Sequence, residues 1–137
     1  MTNDPFLGYW VMDAAQNTYE AGTPPSAGSY RIEADGEAYR FTMTWTAADG
    51  QSHQMDYRTF PDGVAHPFEN TAQVDALRTT RVDERTLDSE SIKGDGVIAH
   101  GRRVLSEDGQ TMFITQSGNR PDGTRFENRS VYLRHEG

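Results

Sequence analysis

The sequence runs to 137 residues with 21 acidic against 13 basic side chains, a net charge of -8, no cysteine, 34% hydrophobic and 25% charged residues. One domain of this length buries a core of its own without a metal or disulfide staple. The acidic balance removes the driving force for nucleic-acid binding or adhesion to anionic membranes, and the missing cysteine removes thiol catalysis and thiolate metal sites.

No apolar run approaches a membrane span, and Met1-Thr2-Asn3-Asp4-Pro5 lacks the basic and apolar regions of a signal peptide. A cytoplasmic location is expected, or a periplasmic one if a leader has been removed.

In chain order the first strand is predicted over 7–13, followed by a loop to residue 27 marked by Gly22 and Pro24-Pro25. Strands follow over 28–34, 38–47, 51–60, 73–82, 86–93, 97–105, 111–118 and 125–134, where apolar and polar residues alternate and Thr, Tyr, Phe, Val and Ile are frequent. Asp-Gly pairs at 35, 49, 62, 95, 108 and 122 punctuate the chain as hairpin turns. No helical periodicity extends beyond a turn or two. The fold class is therefore all-β, an antiparallel up-and-down barrel of eight to ten strands spanning 1–137 as a single domain. Closure removes the two exposed edges that an open meander would leave.

Turn length sets which face points inward, because a one-residue slip swaps the faces. A three-residue loop at Ala48-Asp49-Gly50 places Trp45 opposite His53, Met43 opposite Met55 and Phe41 opposite Tyr57, a coherent wall that continues to Tyr39. Three-residue loops at Gly94-Asp95-Gly96, Glu107-Asp108-Gly109 and Pro121-Asp122-Gly123 extend the reading to the later strands. They set Asp88, Glu90, His100, Arg102, Val104, Met112, Ile114, Gln116, Asn128 and Tyr132 inward, and Arg103, Arg125, Glu127 and Arg129 outward. On this register Glu90 faces His100, and Asp88 faces Arg102.

The expected interior is a pocket with an apolar body and polar handles. Its lining is Tyr39, Phe41, Met43, Trp45, His53, Met55, Tyr57, His100, Arg102, Gln116 and Asn128. Arg102 is the expected selector of an anionic group. The primary functional reading is binding of a small, mostly apolar molecule with a polar or anionic end. The alternative is a cofactor-free isomerase, cyclase or lyase, in which Glu90 orients His100 for proton transfer with His53 as a further base. His53, His66, His100 and His135 form no metal-binding spacing, and neither cofactor nor metal is expected. The expected partner is a small molecule, with the protein a monomer or homodimer.

Gly8-Tyr9-Trp10 near the start and Arg134 near the end resemble the Gly-x-Trp and closing Arg of lipocalins within the calycin barrels. More closely, Phe6-Leu7-Gly8-Tyr9-Trp10, Pro24-Pro25, the segment from Tyr57 to Gly63, that from Arg103 to Gly109, and Val131-Tyr132-Leu133-Arg134 resemble in order the small bacterial lipocalin-like proteins of unassigned function. The resemblance covers nearly the whole chain. It implies an antiparallel barrel around a ligand cavity, with Arg134 packed over Trp10 at the closed end. The Arg-x-Tyr pair that holds carboxylates on the last strand of fatty-acid-binding relatives is absent, since Tyr132 precedes Arg134.

Overall fold

A computed structural model describes residues 4–20, 24–68, 74–119 and 122–135. Ten strands form one antiparallel sheet: β1 Gly8–Met12, β2 Ala27–Asp35, β3 Ala38–Thr46, β4 Ser52–Thr59, β5 Asp62–Pro67, β6 Ala76–Asp83, β7 Thr86–Lys93, β8 Gly96–Leu105, β9 Thr111–Asn119 and β10 Arg125–His135. The order β4-β3-β2-β1-β10-β9-β8-β7-β6-β5 is sequential except where β1 pairs with β10, which joins the two ends of the chain. The sheet curls into a barrel that is nearly closed. Its two end strands, β4 and β5, share no ladder; the buried hydroxyl of Thr59 on β4 instead meets that of Thr79 on β6, the strand behind β5, at 2.6 Å.

Nine strands are expected from the sequence and ten are present. Pro61, Gly63 and Pro67 hide β5 among turn signals. This strand tolerates them because it is an edge, where a missing N–H costs no ladder bond, and its register is irregular between Asp62 and Ala65. The described part of the loop after β1 contains a single 3-10 turn, Ala14–Gln16. No helix among the described residues is long and apolar enough to cross a membrane.

Three turns decide the lining of the barrel. Between β3 and β4, Ala47 pairs with Gln51 around a three-residue loop, Gly50 takes φ 84°, and Phe41–Tyr57, Met43–Met55 and Trp45–His53 face one another as expected. Between β7 and β8 the expected pairs Glu90–His100 and Asp88–Arg102 also form, by a different route: a two-residue turn at Gly94-Asp95 is offset by a bulge beyond Ser91.

The third turn, between β8 and β9, overturns the expected face. Ser106 accepts the Thr111 N–H on its side-chain Oγ (3.1 Å) and donates its hydroxyl to Asp108 (2.6 Å), while the Asp108 carboxylate also accepts the Gln110 N–H. These bonds hold a four-residue loop, so that Leu105 pairs with Met112 and Arg103 with Ile114. One extra loop residue reverses the faces of β7 and β8 relative to β9 and β10. Asp88, Glu90, His100, Arg102 and Val104 consequently lie on the outer wall, whereas Leu87, Ser89, Ser91, Gly101, Arg103 and Leu105 face inward. The inward placement of Met112, Ile114, Gln116, Asn128 and Tyr132 follows the expected register, with Asn119 opposite Arg125. Pro121 of the last expected loop lies outside the described residues.

The barrel end bounded by the β2–β3, β6–β7 and β8–β9 turns is packed solid. Phe6, Trp10, Ile32, Phe41, Leu87 and Met112 are almost fully buried there. Trp10 donates its indole N–H to the Phe6 carbonyl (3.0 Å), and the Arg134 guanidinium lies 4.3 Å from the Trp10 ring centre. Arg134 also donates to the carbonyls of Pro5, Leu7 and Gly109. Such a desolvated cation-π contact contributes about 2 kcal/mol. Gly8 is required at this floor: at φ 135° a Cβ would sit 2.6 Å from the Arg134 Nη1.

Candidate functional site

Above the packed floor the interior opens into two lobes of about 310 Å³ each, which meet at Ile114 and Gln116. The first lobe is walled by large side chains: Tyr19 and Pro25 from the loop after β1, Tyr30 on β2, Met43 and Trp45 on β3, and Tyr132 on β10. The second is walled mainly by small and polar ones, among them Ser89 and Ser91 on β7, Gly101 on β8, Gln116 on β9 and Asn128 on β10, with His100 and Ser117 at its border. Alternation along paired strands places Ser89, Ser91, Gly101, Gln116 and Asn128 on the inner face, while Ser117 pairs with the outward His100.

Arg103 stands between the lobes and is 6% exposed. Its guanidinium lies 4.7 Å from the Phe41 ring centre and 5.4 Å from that of Tyr30. Nη2 donates to the Tyr30 hydroxyl (3.3 Å), a wall of the first lobe, and Tyr57, a wall of the second, lies close enough to act on the charge of Arg103. Among the described residues no carboxylate pairs with Arg103, and its Nε is buried without an acceptor. A buried charge without a counter-charge costs several kcal/mol.

Burial pulls the Arg103 pKa down, but the Tyr30 and Tyr57 hydroxyls outweigh it and hold the guanidinium charged. Burial pushes both Tyr57 and Tyr132 above the ordinary phenol value, against the opposing pull of Arg103. Both stay neutral hydroxyls at physiological pH. The cavity thus offers one cation and several uncharged hydrogen-bonding groups.

The expected site residues separate into three groups. Tyr39 and Phe41 belong to the packed floor, where Tyr39 hydrogen-bonds Asp4 and Arg81, and burial raises its pKa. Met43, Trp45, Tyr57, Gln116 and Asn128 line the lobes. Asn128 also holds the roof of the cavity, accepting the Glu20 N–H at 2.8 Å. Met55 faces Met43 on the same wall, and His53 is exposed at the rim, its ring stacked on Trp45 at 5.4 Å.

His100 and Arg102 form the third group. Their side chains are 55% and 56% exposed on the outer wall. Arg102 is held there by a two-point ion pair with Asp88 (2.6 and 2.8 Å), and Glu90 takes Arg78 at 2.6 Å with His100 more distant at 3.6 Å. The expected interior cation is therefore Arg103 rather than its neighbour. The residues that the sequence did not single out are Arg103 itself and the tyrosines 19, 30 and 132. No group of three or more His, Asp or Glu side chains among the described residues is placed to hold a metal ion.

No family model and no curated protein matches the sequence. Solved structures do. The apo form of Caenorhabditis elegans lipid binding protein 8 superposes with a TM-score of 0.63 at 10% identity, covering 98% of this chain and 99% of that one. Zebrafish ileal bile acid-binding protein complexed with cholic acid gives 0.55 at 14% identity over 96% and 99%, and apocrustacyanin C2 gives 0.51 at 11% identity over 96% and 62%. The chain shares their barrel fold. In this barrel the Trp10–Arg134 contact occupies the closed end, as the sequence motifs imply, and the lobes occupy the other. At these identities the likeness establishes architecture, and the chemistry must be read from Arg103 and the walls around it.

Proposed function

We propose that the protein binds a small, mostly apolar molecule with an anionic group inside the barrel. The observation that carries this reading is Arg103: charged, buried between aromatic rings, unpaired with any described carboxylate, and left with an orphaned Nε beside an open cavity. An anionic ligand supplies both the missing counter-charge and the missing acceptor. The solved lipid-binding and bile-acid-binding structures share the architecture and support the reading, and the order of motifs from Phe6 to Arg134 supports placing the chain beside the small bacterial lipocalin-like proteins. The acid-base alternative has less support: the His100 side chain is 55% exposed and meets Glu90 only at 3.6 Å on the outer wall, although His100 also borders the second lobe, and His53 stands at the rim.

Calorimetric titration with dodecanoate and dodecanol tests the proposal. Dodecanoate is expected to bind more tightly than the alcohol, and Arg103→Gln to weaken dodecanoate by 10-fold to 100-fold with little effect on dodecanol, in keeping with the loss of a charge-assisted hydrogen bond. Equal binding of dodecanoate by the two proteins would remove Arg103 from the site.

A further inference from the structure

The lobes on either side of Arg103 differ in chemistry. The first presents broad aromatic faces, Tyr19, Tyr30, Trp45 and Tyr132, suited to a flat ring system. The second presents hydroxyls and amides on a wall of small residues. Ser91 and Gln116 there make no side-chain hydrogen bond among the described residues, although they line an interior cavity. A plain alkyl chain would leave those groups unsatisfied in the second lobe. Arg103 lines the second lobe and donates to the Tyr30 hydroxyl of the first, so its charge falls where the two lobes adjoin rather than at one end.

Resting on the binding reading above, we infer that the ligand is two-part: a flat aromatic body in the Tyr30–Trp45 lobe, a hydroxyl-rich body in the Ser91–Gln116 lobe, and an acid group near the junction at Arg103. The class that combines these features is an aromatic ring joined to a sugar acid, an aryl glycuronide. Its sugar hydroxyls and ring oxygen match the hydroxyl and amide groups of the second lobe, and its carboxylate meets the guanidinium. The ring stacks or packs edge-on against the aromatic walls.

Methylumbelliferyl glucuronide, methylumbelliferyl glucoside, methylumbelliferone and dodecanoate, titrated against the protein by fluorescence or calorimetry, separate the contributions. The glucuronide is expected to bind at least 10-fold more tightly than either the glucoside or the free ring, and Ser91→Val to reduce its advantage over the free ring several-fold. A glucuronide no tighter than the free ring or the glucoside overturns the two-part inference. If dodecanoate still binds in an Arg103-dependent manner in that case, the anion-binding reading stands alone. Failure of both dodecanoate and the glucuronide to bind overturns both.

Discussion

Arg103 carries a charge into the barrel next to Phe41 and Tyr30, and among the described residues it is offered the Tyr30 hydroxyl in place of a carboxylate. A side chain kept for stability would have a full set of partners, because a buried, half-satisfied cation lowers the stability of the fold that contains it. Replacing a buried charge with an apolar residue of similar volume is commonly neutral or stabilising by about 1–4 kcal/mol. Arg103→Met is therefore expected to unfold at the same or a higher temperature than the unmodified protein without ligand, while losing affinity for dodecanoate. Thermal melts followed by circular dichroism check this, and a drop of several degrees would make the arginine part of the scaffold. The outer Arg102 contrasts with it: both its bonds go to Asp88 and the pair is solvated, an arrangement worth little and requiring no ligand.

Among the elements, the β4–β5 seam is the place where the barrel is held by side chains alone. Beside the open β4 edge, Thr59 on β4 meets Thr79 on β6, the strand behind β5, at 2.6 Å, and Tyr57 packs edge-on against Phe68, which follows β5, with ring centres 5.5 Å apart. Because the chain has no cysteine, Thr59→Cys with Thr79→Cys gives an unambiguous cross-link. The oxidised double variant is expected to gain roughly 3 kcal/mol over its reduced form, as closure of a loop of about this length implies. Denaturant titrations with and without reductant measure the difference, and coincident curves would mean that Thr59 and Thr79 are not apposed. Legibility in the sequence also divides by element. Nine strands and the Phe41–Tyr57 wall were readable, because alternation is strong and the Asp49 carboxylate, which accepts the Gln51 N–H, leaves the Ala47–Gln51 pair closed around three residues. The tenth strand was not readable, since its prolines and glycine mimic a loop. Arg103 was not readable either, because the Ser106 hydroxyl captures both Asp108 and the Thr111 N–H and lengthens the turn by one residue. Hydroxyl-backbone competition of this kind carries no periodicity, yet it set the chemistry of half the cavity wall.

For the molecule as a whole, the turns set the response to acid. Asp62, Asp75 and Asp83 are held below the ordinary carboxylate value first by the backbone N–H groups of Val64, Gly94 and Arg85, and Asp108 first by the Ser106 hydroxyl. A carboxyl with a depressed folded pKa stabilises above its unfolded pKa and loses that contribution as pH falls through the folded one. The thermal midpoint is thus expected to be nearly level from about pH 7 to pH 5 and to fall below about pH 4, as the turns release their anchors. Melts across that range test it, and a midpoint that rises into acid would show that relief of the net charge of -8 outweighs the turns. The β8–β9 turn has one more consequence, in mutational terms. Arg102 and Arg103 are neighbours in the chain on opposite sides of one wall, and the residue count of a surface loop decides which of them the interior receives. A single-codon deletion at that loop would exchange the cation in the cavity and its surroundings together, a larger step in ligand preference than a single substitution in the lining. New specificities in barrels of this kind are therefore to be sought among length variants of their turns as much as among variants of their walls.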